Sequence, residues 1–321
     1  MKEVEKTPRR VLVITGPTAA GKTALGVELA LRLGGEVISA DSMQLYRGMD
    51  IGTAKVRPEE MSGVPHHLID VAEACENWSV SRWTDAAAAA AEDIFSRGHV
   101  PVIVGGTGLY IDSLLSGRDF APAPGDMALR DSLSREYDAV GGEAFREKLR
   151  AVDPERAEKL APADKKRLVR ALEIYRLTGQ TATEHDRRTR ALPPRWPSMR
   201  IGVSFASRED LYRRIDRRAD TMLREGLLAE VEALLASGTD EKSTAMQAIG
   251  YKELASFLRG ERTLEQAAED IRRESRRYAK RQLTWLRRDR ELHWLLWEGD
   301  SPDTAAGAEY ILALWRGQDP G

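Results

Sequence analysis

Hydrophobic and polar positions in the N-terminal part of the chain alternate in blocks that predict a strand followed by a helix. Val11–Thr15 is a continuous apolar run, typical of a buried strand, and a glycine-bounded loop follows it. Ala24–Leu33 then places apolar residues at helical spacing, and Glu36–Ser39 predicts the next strand. Because strands joined through helices are parallel, the pattern predicts a parallel sheet with helices on its faces.

A second helix and strand follow in the same order. We predict an alanine-rich helix that begins at Thr84 or Asp85, either of which is a suitable N-cap, and ends at Gly98. Pro101–Val104 is a short apolar run that predicts another strand, which ends at Gly105. The chain therefore continues the alternation that is typical of an α/β fold.

The pattern changes in the middle of the chain. Ala121–Gly125 has the sequence APAPG, and the residues after it, up to about Thr189, have helical periodicity and little strand signal. Ala191–Ser198, with the sequence ALPPRWPS, closes this stretch. A separate helical module is predicted here.

The sheet pattern resumes after the helical module. Arg200–Phe205 predicts one more strand, and the residues beyond Leu211 are mostly helical in pattern. A chain of 321 residues is long enough for a large core with an inserted domain. We therefore expect a core in two parts, residues 1–120 and 199–321, the second with basic C-terminal helices, interrupted by a helical domain at residues 121–198.

Composition excludes several classes of protein. The chain is 42% hydrophobic and 31% charged, as folded globular proteins are, and unlike disordered or collagen-like ones. Cys75 is the only cysteine, so no intrachain disulfide and no cysteine-based zinc cluster can form, which indicates a reducing compartment. The sequence has no leader pattern and no apolar run of about 20 residues. We expect a cytoplasmic protein that does not associate with membranes.

Positive and negative charges nearly balance over the whole chain, but one segment near the C-terminus is strongly basic. The net charge is −2, whereas residues 271–290 hold nine basic and two acidic side chains, a local excess of seven positive charges. Such a segment requires either a polyanionic partner or carboxylates from elsewhere in the fold.

Residues 16–23 carry the clearest chemical signal. Their sequence, GPTAAGKT, matches G-x-x-x-x-G-K-[ST] and lies between a predicted strand and a predicted helix. Backbone N–H groups of such a loop hold a diphosphate or triphosphate, Lys22 supplies a positive charge, and Thr23 is the predicted Mg²⁺ ligand. A glycine turn before a helix is the alternative, and the motif does not say which diphosphate binds. The predicted diphosphate ligands in this loop are Gly16, Pro17, Thr18, Ala19, Ala20, Gly21, Lys22 and Thr23.

The acidic residue that should accompany such a loop is not in its usual place. Kinases and NTPases normally hold Mg²⁺ with an acid at the end of a neighbouring strand, but here the predicted strand ends in Gly105. The available acid is Asp41, directly after the second strand, where it faces the same crevice as the loop. It can cap the next turn, hold a metal ion or accept a proton from a substrate.

The loop and seven further segments, taken in order, resemble one family, the tRNA dimethylallyltransferases, which prenylate an adenine next to the anticodon. The resemblance covers nearly the whole chain. Its segments besides the loop are DSMQLYRGMDIGTAK (Asp41–Lys55), VPHHLID (Val64–Asp70), PVIVGGTGLY (Pro101–Tyr110), DKKRLVRALEIY (Asp164–Tyr175), GLLAEV (Gly226–Val231), QAIGYKEL (Gln247–Leu254) and KRQLTWLRRD (Lys280–Asp289).

This resemblance implies an α/β fold with a P-loop NTPase-like core, a parallel sheet and a helical insertion domain. It implies that the loop binds dimethylallyl diphosphate, with Mg²⁺ on Thr23 as cofactor, and that the acceptor is N6 of an adenine in tRNA. Asp41 is then the general base, because an exocyclic amine is a weak nucleophile that must lose a proton as it reacts. The resemblance implies that Thr107 is the second residue at the reacting centre.

Two arginines are the other predicted ligands of the departing diphosphate. Arg214 and Arg218 lie four residues apart on one face of a predicted helix, and their planar guanidinium groups suit phosphate oxygens. Surface ion pairs with Asp210 or Asp216 are their alternative role.

The target adenine is stacked in the anticodon loop and must leave the stack to reach a buried diphosphate. The resemblance implies a channel with tRNA at one mouth and dimethylallyl diphosphate at the other. Leu168 and Trp285 lie in matching segments, yet as apolar and aromatic residues we assign each to the core. The tRNA-contacting residues that the resemblance implies are Asp41, Ser42, Met43, Gln44, Thr107, Arg130, Lys165, Lys166, Arg167, Leu168, Val169, Gln247, Gly250, Tyr251, Lys252, Arg273, Arg276, Arg277, Lys280 and Arg281.

Two other functions fit parts of the sequence. A small-molecule kinase that uses ATP would explain the loop but not Gly105 or the basic segment near the C-terminus. A non-catalytic RNA-binding protein would need no particular chemistry at Asp41 or Thr107. We expect the partners to be the anticodon stem-loop of tRNA and dimethylallyl diphosphate, and we expect a monomer with no obligatory protein partner.

Overall fold

The structure is a computed structural model that describes residues 9–117 and 127–318. The chain divides into two compact units, one formed by Met1–Leu114 with Trp196–Gly321 and the other by Leu115–Arg195. The segment Ala121–Gly125, where the sequence predicts the start of the helical domain, lies outside the described residues. No helix in the described ranges is long and apolar enough to cross a membrane.

A parallel sheet forms the centre of the first unit. Over the described residues it has six strands in the order β3-β2-β4-β1-β5-β6, and every neighbouring pair is parallel. The carboxyl ends of parallel strands meet at one edge of the sheet, which is where α/β proteins bind their ligands. The strands are β1 Val11–Thr15, β2 Gly35–Ser39, β3 His66–His67, β4 Val100–Gly105, β5 Ser198–Phe205 and β6 Leu292–Trp297.

Helices connect and cover these strands. Leu25 and Leu29 of the first helix, Ile311 of the last and Leu12 and Ile14 of β1 are fully buried in one apolar core, which fixes the helices against the sheet. The helices are α1 Lys22–Leu33, α2 Val80–Ser96, α3 Gly108–Leu115, α4 Met127–Val140, α5 Gly142–Arg150, α6 Pro154–Lys159, α7 Lys165–Thr178, α8 Ala182–Arg190, α9 Arg208–Arg224, α10 Leu227–Ala236, α11 Tyr251–Leu258, α12 Leu264–Leu286 and α13 Thr304–Trp315.

The second unit contains α4 to α8 and has a core of its own. Phe145, Leu149 and Leu168 are fully buried in it, together with apolar residues from all five helices. Glu173 is also fully buried, and Arg130 and Arg170 both pair with its carboxylate. Because a buried carboxylate needs compensating charge, these arginines stabilise the helical unit from within.

Three elements differ from the sequence predictions, among them the two-residue strand β3, which was not predicted. The alanine-rich helix begins at Val80, where the Ser79 side chain caps it by accepting a hydrogen bond from the Arg82 amide, and Thr84 is buried inside the helix. The strand β6 was not predicted, because its sequence, LHWLLW, is short and follows a long helix in a region of helical pattern. Its pairing with β5 makes it a strand.

Candidate active site

The phosphate-binding loop lies between β1 and α1, as its sequence predicts, and two glycines are required by its shape. A Cβ atom on Gly16 would lie 2.1 Å from the Val203 carbonyl oxygen of β5, too close for any side chain. Gly21 precedes the helix with a φ of 83°, a left-handed conformation that favours glycine. Ala19 has a φ of 63°, a strained conformation of the kind that clusters at ligand sites.

The Lys22 side chain forms a hydrogen bond within this loop. Its Nζ atom donates a hydrogen bond to the Pro17 carbonyl oxygen at 2.7 Å. Burial, and then the nearby charge of Arg218, lower the pKa of Lys22 to about 8, although Asp41 opposes that shift. An anion in the loop would favour the charged form of this lysine.

Arg214 and Arg218 of α9 turn toward the loop rather than toward surface acids. Arg214 donates to the carbonyl oxygens of Ala19 at 3.1 Å and Asp300 at 2.7 Å, and Arg218 donates to the carbonyl oxygen of Thr53 at 3.2 Å. Burial lowers the pKa of both arginines, although the charge of Asp300 opposes the shift at Arg214 and the charge of Asp41 opposes it at Arg218. Neither arginine forms an ion pair with a carboxylate in the described chain.

The alternative role as surface ion pairs does not hold for these two arginines. Asp210 pairs with Arg213, and Asp216 pairs with Arg276 of α12. Arg214 and Arg218 are therefore cations without a matching carboxylate beside the phosphate-binding loop.

Asp41 lies directly after β2, and the amide of the preceding Ala40 donates to the Val104 carbonyl oxygen of β4 at 2.8 Å. Its Oδ1 atom accepts the Met43 amide at 2.9 Å, so the turn-capping role is real, while the described chain gives the other carboxylate oxygen no hydrogen bond. The neighbouring Ser42 amide donates to the Thr107 hydroxyl at 3.2 Å, and the Thr107 amide donates to the Ala40 carbonyl oxygen at 3.1 Å.

The position of the usual metal-binding acid is closed by packing. A Cβ atom on Gly105, at the end of β4, would lie 2.2 Å from the Ala40 carbonyl oxygen. No aspartate can occupy this position without moving the backbone. Asp41, at the same edge of the sheet, lines a cavity together with Lys22 of the loop.

Gln44 serves the scaffold. Its Oε1 atom accepts the Ser39 hydroxyl at 3.0 Å, and its amide donates to the carbonyl oxygens of Thr53 and Ala54, each at 3.4 Å. Because Arg218 also donates to the Thr53 carbonyl oxygen, Gln44 and Arg218 hold the same turn of chain. A direct contact between Gln44 and tRNA stays a prediction.

Two residues of α12 complete the site, and sequence reasoning missed both. Gln282 joins two loops: its Oε1 atom accepts the Thr18 amide and its Nε2 atom donates to the Gly106 carbonyl oxygen, both at 2.9 Å. Tyr278 lies beside Asp41 and Thr107, and burial and then the Asp41 charge raise the pKa of Tyr278. Their spacing of four residues on one helix face was a usable signal.

Glu230 of α10 fixes the loop on the other side of the site. Its carboxylate accepts the amides of Asp50, Ile51 and Gly52 at 2.9, 2.8 and 3.1 Å, and it also accepts the Tyr251 hydroxyl. Tyr251 is fully buried against Gly52, so its ring packs inside the fold, and a contact between this residue and tRNA stays a prediction.

Three neighbouring cavities meet around Asp41 and Lys22. The Asp41 cavity, of about 310 Å³, and the phosphate-loop cavity, of about 820 Å³, are accompanied by a small connecting cavity of about 80 Å³. Asp41 lines the first and the connecting cavity, Lys22 lines the connecting and the phosphate-loop cavity, and Arg218 lines all three. The cavities share lining residues, so the predicted base and the predicted phosphate ligands border neighbouring spaces.

The predicted tRNA residues divide into those that reach these spaces and those that do not. Leu168 and Val169 are buried in the helical unit, so as side chains they are not contacts. Lys165 pairs with Asp138, and Lys166 and Arg167 are exposed on the same unit. The predicted residues that line the Asp41 cavity are Asp41, Ser42, Met43, Gln247, Gly250, Lys252 and Arg281.

Carboxylates within the fold account for part of the positive excess on α12. Arg276 pairs with both oxygens of Asp216 at 2.7 Å, so the prediction that this arginine contacts tRNA is not supported, because its charge is already matched. Arg273 and Arg277 pair with acids of their own helix. Lys280 and Arg281 form no ion pair in the described chain, and for these two residues the prediction stands.

Comparisons with known proteins identify the family of this chain. The family model described as IPP transferase matches residues 44–289, and the model described as isopentenyl transferase matches residues 9–73. The chain is 46% identical over 285 residues to the tRNA dimethylallyltransferase of Acetivibrio thermocellus, covering 89% of this chain and 91% of that protein. It is 49% identical over 286 residues to that of Geobacillus thermodenitrificans, covering 89% and 90%.

Solved structures agree as well. The full-length tRNA isopentenylpyrophosphate transferase of Bacillus halodurans has a TM-score of 0.72 and 41% identity, over 96% of each chain. A eukaryotic dimethylallyltransferase solved while acting on tRNA has a TM-score of 0.82 and 29% identity, over 96% of this chain and 80% of that one. With a phosphate-binding loop, a strand-end aspartate and relatives over most of its length, this chain belongs to the IPP transferase family of tRNA dimethylallyltransferases.

Proposed function

We propose that this chain transfers a dimethylallyl group from dimethylallyl diphosphate to N6 of the adenine 3′-adjacent to the anticodon in tRNA, with release of diphosphate. One observation carries the proposal: the connecting cavity is lined both by Asp41 and by Lys22 and Thr23 of the phosphate-binding loop. The space therefore lets an acceptor amine and an allylic diphosphate meet between a carboxylate and a set of cations.

The phosphate-loop side binds and stabilises the leaving group. Lys22, Arg214 and Arg218 are half-buried cations that donate to backbone carbonyls and have no carboxylate ion pair in the described chain. A diphosphate gains negative charge as the allylic C–O bond breaks, so cations fixed in advance stabilise the transition state more than the ground state.

The Asp41 side accepts the proton. As the adenine nitrogen forms its bond to the allylic carbon, the C–O bond to diphosphate breaks, and the N6 proton passes to the Asp41 carboxylate. The Met43 amide holds one carboxylate oxygen, and Thr107, which accepts the Ser42 amide, keeps the turn in place. This geometry orients the base toward the cavity.

Mg²⁺ fits the residues at the loop, with Thr23 as its protein ligand. Thr23 is exposed at the start of α1 and lines both the connecting and the phosphate-loop cavities. Mg²⁺ usually takes few protein ligands and completes its shell with phosphate oxygens and water, so a single hydroxyl beside a diphosphate suits it. When bound, the ion would supply positive charge to the diphosphate.

Transfer RNA is the proposed occupant of the Asp41 cavity. Gln247, Lys252 and Arg281 line its wall, and an adenine drawn out of the anticodon loop would present its N6 group to Asp41 there. We further propose that the helical domain at residues 121–198 contacts the anticodon arm, that the protein works as a monomer, and that it does so in the cytoplasm.

The identity of the donor substrate distinguishes prenyl transfer from phosphoryl transfer from ATP. Unmodified tRNA and Mg²⁺ are incubated with labelled dimethylallyl diphosphate or with ATP labelled at the γ-phosphate. Label is expected to pass to tRNA from the prenyl donor only, because Gly105 leaves no room for the second Mg²⁺-binding acid of an ATP-using enzyme. Transfer from ATP would favour a kinase, and binding of tRNA without transfer from either donor would favour a non-catalytic RNA-binding protein.

A further inference from the structure

The helix α12 presents a second kind of basic surface, which we name the aromatic–arginine face. It consists of Tyr278, Arg281 and Trp285, whose spacings of three and four residues place them on one side of the helix, together with Arg288, which lies two residues beyond the end of the helix and close to the Trp285 ring. Tyr278 is half-buried in the Asp41 cavity, and the other three are exposed. The face therefore runs from the reacting centre to the protein surface.

Trp285 is a surface residue, contrary to the sequence prediction that it belongs to the core. It is 37% exposed, an unusual fraction for an indole that serves only to fill a core. Its Nε1 atom donates to the Asp112 carboxylate at 2.8 Å, and its ring lies so close to Gly108 that a Cβ atom there would approach it to 2.4 Å. The ring is thus exposed and yet fixed.

Where Trp285 is fixed matters for the reaction. Gly108 directly follows Thr107, whose hydroxyl accepts the amide next to Asp41. The Trp285 ring consequently stands at the rim of the site, one residue along the chain from a group that holds the base in place.

The two arginines of the face carry charge that the protein leaves unmatched. Arg281 lies 5.7 Å from the centroid of the Tyr278 ring, and Arg288 lies 5.7 Å from the centroid of the Trp285 ring. Neither forms an ion pair with a carboxylate in the described chain, whereas Arg272 and Arg276, on another side of the same helix, pair with acids of α9.

A fixed, exposed aromatic ring between unmatched arginines is the surface that single-stranded nucleic acid recognises, because bases stack on the ring and phosphates bind the cations. We propose that the aromatic–arginine face binds the nucleotides next to the target adenine, with one base stacked on Trp285 and its phosphates on Arg281 and Arg288. That the nucleic acid is an anticodon loop rests on the proposed function.

The test compares the affinity of two RNA probes for the full-length protein and its variants. One probe is an unmodified anticodon stem-loop with an adenine 3′ of the anticodon, and the other is the same stem closed as a duplex without the loop. Trp285→Ala is expected to weaken stem-loop binding about 5- to 150-fold, the range for one lost base stack, and to leave duplex binding unchanged. Trp285→Tyr should restore most of the affinity.

Charge is tested with Arg288→Ala, with Arg316→Ala as the matched control. Arg316, at the end of α13, is also exposed and has no carboxylate ion pair in the described residues. Arg288→Ala should reduce the slope of log affinity for the stem-loop against log salt by up to about 0.7, the value for a single-stranded phosphate, and Arg316→Ala should not.

The proposal would be overturned if the Trp285→Ala variant bound the stem-loop with unchanged affinity. It would also be overturned if the variant lost equal affinity for the duplex probe or for dimethylallyl diphosphate, since that would indicate a general loss of structure. The outcome is separate from that of the proposed function. If the wild-type protein binds the stem-loop through Trp285 but transfers no prenyl group, the aromatic–arginine face is supported and the proposed reaction is rejected. If the wild-type protein is active and the Trp285→Ala variant binds the stem-loop normally, the reaction is supported and the face is rejected.

Discussion

Two groups of cations in this protein are held in opposite ways. At the phosphate-binding loop, Lys22, Arg214 and Arg218 are half-buried and donate to backbone carbonyls, without a carboxylate ion pair in the described chain. Along α12, Arg272 and Arg276 pair with aspartates of α9. The charge of the first group is available to an anionic ligand, whereas the charge of the second group is neutralised by ion pairs within the fold.

This difference shows why counting basic residues misleads. Residues 271–290 hold a local excess of seven positive charges, yet the fold matches several of them with acids that are distant in sequence. Arg214 and Arg218 occur in a segment with nearby acids but remain unmatched. The local balance of charge in space, and not along the chain, decides which cations can bind phosphate.

The largest effect should come from Asp41, whose charge acts on both Lys22 and Arg218. Asp41→Asn keeps the volume of the side chain but removes its charge, so a general base should lose about 10²- to 10⁴-fold in the chemical step. The measurement is single-turnover transfer at saturating tRNA and dimethylallyl diphosphate, across a series of Mg²⁺ concentrations.

The Asp41 experiment also separates the roles that the sequence left open. A residue that only caps its turn would cost about 1 kcal/mol of stability and leave the rate nearly unchanged. A metal ligand would show partial recovery as Mg²⁺ is raised. Near-normal turnover in the variant would reject Asp41 as the base.

Adjacent arginines of α9 offer a direct test of matched against unmatched charge. Arg218 donates to a backbone carbonyl, whereas the Arg217 side chain is 60% exposed and pairs with Asp300 at 2.6 Å. We expect Arg218→Ala to lower kcat/KM for dimethylallyl diphosphate by about 10²-fold or more, and Arg217→Ala to lower it by no more than about fivefold. Similar losses in the two variants, with both folded by circular dichroism, would contradict the distinction.

The lowered pKa of Lys22 predicts that anion binding at the loop depends on pH. Burial and Arg218 lower the pKa of Lys22 from 10.5 to about 8 in the ligand-free protein, and a bound anion should raise it again. Above about pH 8 the affinity for inorganic diphosphate should therefore fall by up to tenfold per pH unit from this group.

Stability of the ligand-free protein should change with the opposite sign. Between about pH 8 and 10.5 the unfolded chain holds a proton on Lys22 that the folded chain has lost, so the free energy of unfolding should rise with pH through that window. Calorimetric titration and denaturant unfolding measure the two quantities. Lys22→Gln is the control, and a pH dependence that survives in this variant would assign it to other groups.

The smallest effect is expected at Arg276, an arginine of α12 that is paired within the fold. Arg276→Ala removes a charge that Asp216 already matches, so the slope of log tRNA affinity against log salt should stay the same. Lys280→Ala removes an exposed charge without an ion pair in the described chain and should reduce that slope by up to about 0.9 if it meets a duplex phosphate. A flatter slope for Arg276→Ala would return this arginine to the tRNA surface.

Local signals were sufficient for much of this protein. The alternation of strand and helix predicted the parallel sheet, and the family identification and fold class that the motifs implied are confirmed by the comparisons. The strand β6 and the start of α2 at Val80 escaped prediction, because a six-residue run with five apolar residues after a helix has no distinctive period and the capping serine lies outside the alanine-rich stretch.

The sequence by itself determined the phosphate-binding loop and the placement of Asp41 after a strand, because each depends on residues close together along the chain. It also determined the family, through a series of short motifs that can each be identified locally. Only the tertiary structure decided that Gln282 joins the loops of two strands, that Tyr251 is interior and that Trp285 is exposed at the rim of the site. Pairing and burial depend on which distant residues meet, and a pattern along one dimension does not contain that information.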